Sequence, residues 1–308
     1  MAFLVQCSAR LDTGVVEFSC LTDDDWAGAD YEDVPPGHSL GGFARGTLFL
    51  GGAARYGERT LVNAVITAGG LVDGDFARAL GTEVKALAQL GGSTMLDRAI
   101  AAARGAGVER LAVVGGDAVR AHCGERVDLT IDAASDGGEN VLRALAAWEG
   151  APLLYLTSDI PFVTAQAVER FAQRSARFGV TMPLATHAAY VGRFPDAPEH
   201  VIELGGERVA NGNVFFIAAH AIAPVRSWAT RFFAARKSKL AMAQLLGPSL
   251  LVRFVLGKLT IGAIEAKAQR TLGFEVAAIR DSDPDICYDV DTFEEYLYAR
   301  TRLERMAQ

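Results

Sequence analysis

From residue 62 onward the sequence predicts an α/β protein built on a mostly parallel sheet, and three observations carry that expectation. Short β-branched, apolar runs alternate with helical stretches rich in Ala, Leu and Arg, the pattern of successive βα units. The apolar runs stop on turn residues, such as the Gly69-Gly70 pair and Asp159 followed by Pro161. With 308 residues, half of them hydrophobic, the chain is long enough to bury the core of one large domain or two small ones.

Taken in order, "VNAVITA" (62–68) reads as the first strand. "TMLDRAIAAARGAG" (94–107) is a helix ending at glycine, "RLAVVGG" (110–116) a second strand and "VDLTIDA" (127–133) a third. "GENVLRALAAWEG" (138–150) reads as a helix. "PLLYLTSDIP" (152–161) is a fourth, very apolar strand that stops at Asp159 and Pro161. The helix of "TAQAVERFAQRSARFG" (164–179) begins at Thr164, whose hydroxyl is placed to cap an orphan N–H. "GVTMPLAT" (179–186) and "NVFFIAA" (213–219) read as later strands. Residues 224–273 are helical, apolar and basic, broken at Gly247-Pro248. Two readings stand for them: a helical insertion that packs on the sheet or on a partner subunit, and a surface that touches a membrane or a lipid-like substrate. Neither an internal repeat nor a low-complexity tract is visible.

Residues 1–58 differ, mixing acidic residues, Pro and Gly without a sustained period, and are expected to form a poorly structured extension. An upstream-placed coding start, with the natural chain beginning near Leu61 or Val62, is the alternative. A net charge of −7 argues against a dedicated nucleic-acid binder. Cys7, Cys20, Cys123 and Cys287 lack metal-ligand spacing and are too sparse for a disulfide scaffold, which points to reduced thiols in a cytoplasm. The amino terminus lacks the basic segment and long apolar run of a signal peptide, and no apolar run approaches the ~20 residues of a membrane span.

Chemistry concentrates in a few strings. In "TAGG" (67–70) the glycines remove the Cβ atoms that would keep backbone N–H groups from a phosphate. The plainer alternative is an ordinary strand-to-helix turn. The string is neither a Walker loop nor G-x-G-x-x-G. Lys85 follows at the end of a segment long enough to fold back over that turn, the alternative being a solvated lysine. It precedes Gly91-Gly92 and an apolar helix start at Met95-Leu96.

Together "AGG", "KAL", "GG" and "ML" resemble the opening signature of the MobA-like NTP transferases, a nucleotidyltransferase family with a GT-A-like fold. Four further strings extend the resemblance over residues 62–300: "DGGENVLRALAA", "LTSDIPFVT", "ANGNVFFI" and "DVDTFEEY". The resemblance implies a three-layer α/β/α sandwich with a mostly parallel sheet, as in nucleotide-diphospho-sugar transferases, plus the helical insertion. It implies Mg²⁺-dependent transfer of NMP from an NTP to a phosphorylated small-molecule acceptor, with release of pyrophosphate. Ala68, Gly69 and Gly70 would hold the triphosphate, and Lys85 would stabilise charge on the α-phosphate. Gly138 and Asn140 would contact the base or ribose, and Asn213 would orient the acceptor. Asp159 and Asp291 would coordinate Mg²⁺, with Asp289 the less favoured of the D-V-D pair. Asp159 could otherwise be a turn residue, and Asp291 a helix cap.

The chain departs from the family pattern in its first loop, where "GGLVDGDFAR" lacks Gly-x-Gly-x-Arg and leaves Arg78 as the one substitute. It departs again at Phe293 and at Glu295-Tyr296, where Pro and Asp-Leu are usual. Arg236, Lys237 and Lys239 are candidates for an acceptor phosphate, or plain surface charges. Two other classes remain open: a GT-A glycosyltransferase using a nucleotide sugar, and a catalytically silent nucleotide-binding relative.

Overall fold

The computed structural model describes residues 62–198, 200–236 and 238–306, together with the strand pair Ala9–Asp12 and Val15–Phe18. That pair is an antiparallel hairpin within a separate compact unit, Ala9–Arg59. The rest of the expected extension, and Cys7 and Cys20 with it, lies outside the described residues. Cys123 and Cys287 are buried free thiols.

The described residues of the main unit form one nine-stranded sheet, apart from the short antiparallel pair Gln89–Leu90 and Ser93–Thr94: β1 (Asn63–Thr67), β2 (Leu111–Gly115), β3 (Leu129–Asp132), β4 (Leu153–Thr157), β5 (Val180–Thr186), β6 (Ile202–Leu204), β7 (Glu207–Asn211), β8 (Val214–Ile217) and β9 (Val276–Ile279). Their order is 6-7-5-8-4-1-2-3, with β9 on β5. Strands β3, β2, β1 and β4 run parallel, and β9 runs parallel to β5. Strand β8 lies antiparallel between β4 and β5. Strands β7 and β8 both pair with β5, in registers that differ by two residues, so Gly212 and Asn213 form a bulge between them.

The helices are α1 (Gly74–Leu80), α2 (Met95–Gly105), α3 (Asp117–Cys123), α4 (Gly137–Leu145), α5 (Ala165–Ser175), α6 (His187–Arg193), α7 (Ile222–Ala235), α8 (Lys239–Leu246), α9 (Pro248–Val255), α10 (Ile261–Leu272) and α11 (Phe293–Met306). Strand residues alternate between two cores, as the two-residue period of a pleat requires. Ala64, Ile66, Leu154 and Leu156 pack with Leu96 and Ile100 of α2, Phe171 of α5 and Leu303 of α11. Val65, Leu153, Tyr155 and Phe215 pack on the other face with Val141 and Leu145 of α4, Ala229 of α7 and Ile261 of α10. The result is the expected three-layer α/β/α sandwich. Over the span read as helical (224–273), α7 to α10 break at Arg236–Ser238, at Gly247-Pro248 and after Leu256.

The topology singles out two strand ends. The chain runs from β1 through β2 to β3 on one side, then returns to β4 on the other, so the carboxyl ends of β1 and β4 flank the switch point where open α/β sheets bind ligands. Capping fixes the helices around it. Thr94 and Asp97 form a reciprocal capping box at the start of α2, and Thr164 caps α5 by accepting from Ala167 N at 3.2 Å.

Asp97 also meets His122 at 2.8 Å and Arg126 at 2.5 Å. Burial works against its charge, but Arg126, Thr94 and His122 prevail and hold its carboxyl well below the usual range. Its contribution is therefore present above the unfolded carboxyl value of about 3.9 and is lost as pH falls through the lower folded value. Asp97→Asn is expected to cost about 0.5–2 kcal/mol in urea unfolding at neutral pH and to flatten the acid limb of stability against pH. An unaltered acid limb would mean that Asp97 carries no net share of it.

Candidate active site

Strand β1 delivers Thr67 and then Ala68, whose N–H donates to Val114 O at 2.8 Å, before the chain turns at Gly69-Gly70. The segment after the turn folds back on itself. Leu71 bridges Val84, Val72 N donates to Glu83 O at 2.9 Å, and Lys85 N donates to Gly70 O at 3.1 Å. The lone lysine fifteen positions along is thus bonded through its backbone to the second glycine of the turn. Arg78, the one cation available in this loop as a substitute anchor, is exposed on α1 and pairs with Asp75.

Lys85 Nζ lies 2.6 Å from Asp159 Oδ2 and 2.6 Å from Asp291 Oδ1. Asp159 follows β4, and its carbonyl accepts from Val290 N at 3.0 Å, which ties the two acidic segments together through the main chain. The lysine and Asp159 side chains are 14% and 19% exposed, whereas Asp291 is 63% exposed, so the cluster opens to solvent on the Asp291 side. Burial opposes the Lys85 charge, but Asp159 and then Asp291 outweigh it and raise the lysine pKa. Asp159 is likewise pushed up by burial and pulled down further by Lys85, ending below the ordinary carboxylate range. Its other oxygen, Oδ1, is buried with no hydrogen-bond partner among the described residues.

Helix capping does not occupy Asp291. Thr292 takes that place, its Oγ1 accepting from Glu295 N at 3.3 Å, while Glu295 Oε2 accepts from Asp291 N at 2.6 Å and Thr292 N at 2.7 Å. Behind Glu295 stands His200, with Nε2 2.9 Å from Glu295 Oε1 and Nδ1 3.4 Å from Asp289 Oδ1. Burial would raise Glu295, yet His200 and the two backbone donors hold it down at about 2. Asp289 goes the other way, pushed up to about 7 by burial and then by Asp291. The D-V-D string thus sends Asp289 toward His200 and Asp291 toward Lys85. Glu295 was legible as the last residue of a T-x-x-E capping box; His200 carries no sequence signal.

The other candidates form the walls. Both polar ends of Asn140 are committed to the Ala134 backbone, with Oδ1 accepting at 2.7 Å and Nδ2 donating at 3.1 Å. A Cβ on Gly69 would meet Ala133 Cβ at 2.8 Å and Asn140 Nδ2 at 3.0 Å, so Asn140 and loop 133–134 sit directly against the first glycine. Gly138 donates to Asp136 Oδ1 at 2.7 Å and is packed so closely on the Phe233 ring that a Cβ would come within 2.6 Å of it. Asn213 is buried in the bulge, its N–H donating to Ile286 O at 3.0 Å and its carbonyl accepting from Thr157 N at 3.2 Å. Arg236 pairs with Asp136, the cap of α4. Lys237 and the Lys239 side chain lie outside the described residues.

A family model described as the MobA-like NTP transferase domain matches residues 64–239, more than half of the chain. The chain belongs to this family. The matched span holds the glycine turn, Lys85, Asn140, Asp159 and Asn213, while Asp291 and most of the helical region lie beyond it. Among solved structures, the chain is similar to a hypothetical transferase from Thermus thermophilus, at 29% identity and a TM-score of 0.66, over 76% of this chain and 99% of that one. It is also similar to a nucleotidyl transferase from Methanothermobacter thermautotroptrophicus (17% identity, TM-score 0.49, 80% and 100% covered). A third is 4-diphosphocytidyl-2C-methyl-D-erythritol synthase from Anaerococcus prevotii (10%, 0.48, 80% and 99%). No curated protein matches the chain in sequence. The MobA-like family is a nucleotidyltransferase-type family, and the three-layer sandwich is its fold.

The glycine pair gives a test of the local geometry. Gly69→Ala is expected to destabilise the fold by about 1–3 kcal/mol, because its methyl overpacks Ala133 and Asn140. Gly70→Ala, whose Cβ would have open space, is expected to stay within about 0.5 kcal/mol of the parent. Equal losses in urea unfolding would contradict the contact between the turn and Asn140.

Proposed function

We propose that this chain is a Mg²⁺-dependent nucleotidyltransferase of the cytoplasm, moving NMP from an NTP to a phosphorylated small-molecule acceptor and releasing pyrophosphate. The observation that carries the reading is the Lys85 ammonium held between Asp159 and Asp291 beside the Gly69-Gly70 turn, with three distant segments meeting on one charged cluster at the switch point of the sheet. Joining two polyanions requires that their charge be neutralised and their phosphates aligned, and this cluster holds both signs of charge needed for that.

Asp159 and Asp291 would hold the metal. Among the described residues no group of three or more His, Cys, Asp or Glu is arranged to bind an ion alone. Two carboxylates completed by substrate phosphates are the donor set Mg²⁺ prefers. The unbonded, buried Oδ1 of Asp159 fits that role. When bound, Mg²⁺ neutralises phosphate charge and polarises the phosphoryl group.

The backbone N–H groups of Gly69 and Gly70 receive the triphosphate, with Ala68 anchoring the turn through its bond to Val114 O, and the Lys85 ammonium stabilises charge gathering on the α-phosphate. Loop 133–134, braced by Asn140 against Gly69, flanks the base, with Gly138 setting the approach of α4 to α7. Asn213 orients the acceptor from the bulge. An oxygen of the acceptor phosphate forms the new bond to the α-phosphorus. The bond to the α–β bridging oxygen breaks, and its electron pair leaves with pyrophosphate. No side chain becomes covalently attached.

The test is pyrophosphate release from CTP, GTP, UTP and ATP in the presence of pooled phosphorylated acceptors. Turnover with one nucleotide is expected, and Lys85→Ala and Asp159→Ala should each lower kcat by about 10²–10³-fold or more. Mn²⁺ titration followed by electron paramagnetic resonance should show binding lost in Asp159→Ala and Asp291→Ala. Nucleotide binding without pyrophosphate release across the acceptor pool would sink the reading in favour of a silent relative.

A further inference from the structure

We propose that the outer face of α8 and α9, with the cations around it, seats this protein on an anionic lipid bilayer. The proposal does not depend on the nucleotidyl-transfer reaction.

Helix α9 turns Leu250 inward, where it lines a groove with Trp228, Leu245, Leu246 and Ile264. That contact accounts for one side of the helix. Leu251, Val252 and Val255, followed by Leu256, occupy positions i, i+1, i+4 and i+5, so they gather on another side. All four are exposed, Val255 to 72%, and Leu240 of α8 is exposed to 70%. A helix that packs on its own core by one side normally shows polar residues on the other. Here the outer side is as apolar as the inner, and nothing in the described chain covers it.

Charge identifies the occupant. From Ile222 to Lys258 the chain holds seven lysines and arginines and no aspartate or glutamate, although the protein as a whole carries −7. Arg226, Arg231, Arg253 and Lys258 are exposed, and Arg253 and Lys258 flank the apolar positions themselves. A second copy of this chain is a poor partner, since a two-fold contact would press one positive stretch against another. Anionic headgroups reverse that sign, and apolar side chains ringed by cations suit the boundary between headgroups and acyl chains. No described helix is long and apolar enough to cross a membrane, so the contact lies along the surface.

The experiment is co-sedimentation of the full chain with phosphatidylcholine vesicles, with and without phosphatidylglycerol, at low and high salt. Binding to the anionic vesicles is expected to be about tenfold or more tighter than to the neutral ones and to weaken in high salt. Val252→Glu/Val255→Glu and Arg253→Glu/Lys258→Glu should each abolish it while leaving the unfolding temperature unchanged, because these side chains are exposed. The lipid and salt dependence of the unaltered protein stands as a test even where a variant folds poorly. Absence of binding, or equal binding to neutral and anionic vesicles, would overturn the proposal. So would a dimer in sedimentation equilibrium that Val252→Glu/Val255→Glu dissociates, which would give this face to a second copy.

Discussion

One ammonium held between two carboxylates sets the terms for the rest of this molecule. Lys85 and Asp159 are both largely buried, and a charge taken out of water is tolerated only with a well-placed partner. Their positions therefore cannot drift independently. The backbone bond from Lys85 to Gly70, the one from Val290 to the Asp159 carbonyl, and the paired ends of β1 and β4 form the frame that keeps the charges in register.

That frame is supported from both faces of the sheet. On one face, Asp136 caps α4 by accepting from Gly138 and Glu139, and Arg236 from the end of α7 closes on the same carboxylate. Helix α4 then carries Asn140 to loop 133–134 and so to Gly69. On the other face, α11 starts at a capping box whose glutamate grips the Asp291 backbone and leaves its carboxylate free to point at the lysine. His200 balances the charge of that glutamate. Each support uses a helix end, where backbone groups lack partners within the helix and readily take one outside it.

Much of this was legible from residue order. Strands β1, β2, β4, β5 and β8 announce themselves as apolar, β-branched or aromatic runs, because both faces of a central strand are buried. Strands β6 and β7 escaped notice: Ile202–Leu204 and Glu207–Asn211 lie at the sheet edge, are short, and carry Glu203, Glu207 and Arg208 toward solvent. The four residues of β9 merge into their surroundings without a period of their own. Helices α3 and α6, at seven residues each, span too few turns to show an amphipathic stripe. Trp148, which reads as part of the helix at 138–150, falls after α4 ends and instead donates its indole N–H to Ala64 O at 2.9 Å. In the site, Gly69, Gly70, Lys85, Asp159 and Asp291 could be picked out because their types and spacing form a pattern. His200 could not, since what places it is a contact across 95 residues with Glu295 rather than any local string.

The span between the two ends of the cluster has a consequence for how the molecule comes into being. Lys85 and Asp291 are 206 residues apart, so their contact closes one of the longest loops among the described residues. Long-range closures of this kind come late in folding, because the entropy of closing the loop must be met before the contact returns anything. During synthesis the glycine turn, Lys85 and Asp159 are all available while the second carboxylate is still unmade. Completion of the charged cluster therefore requires that the chain has been made as far as Asp291 and that this residue has been brought back beside β1 and β4.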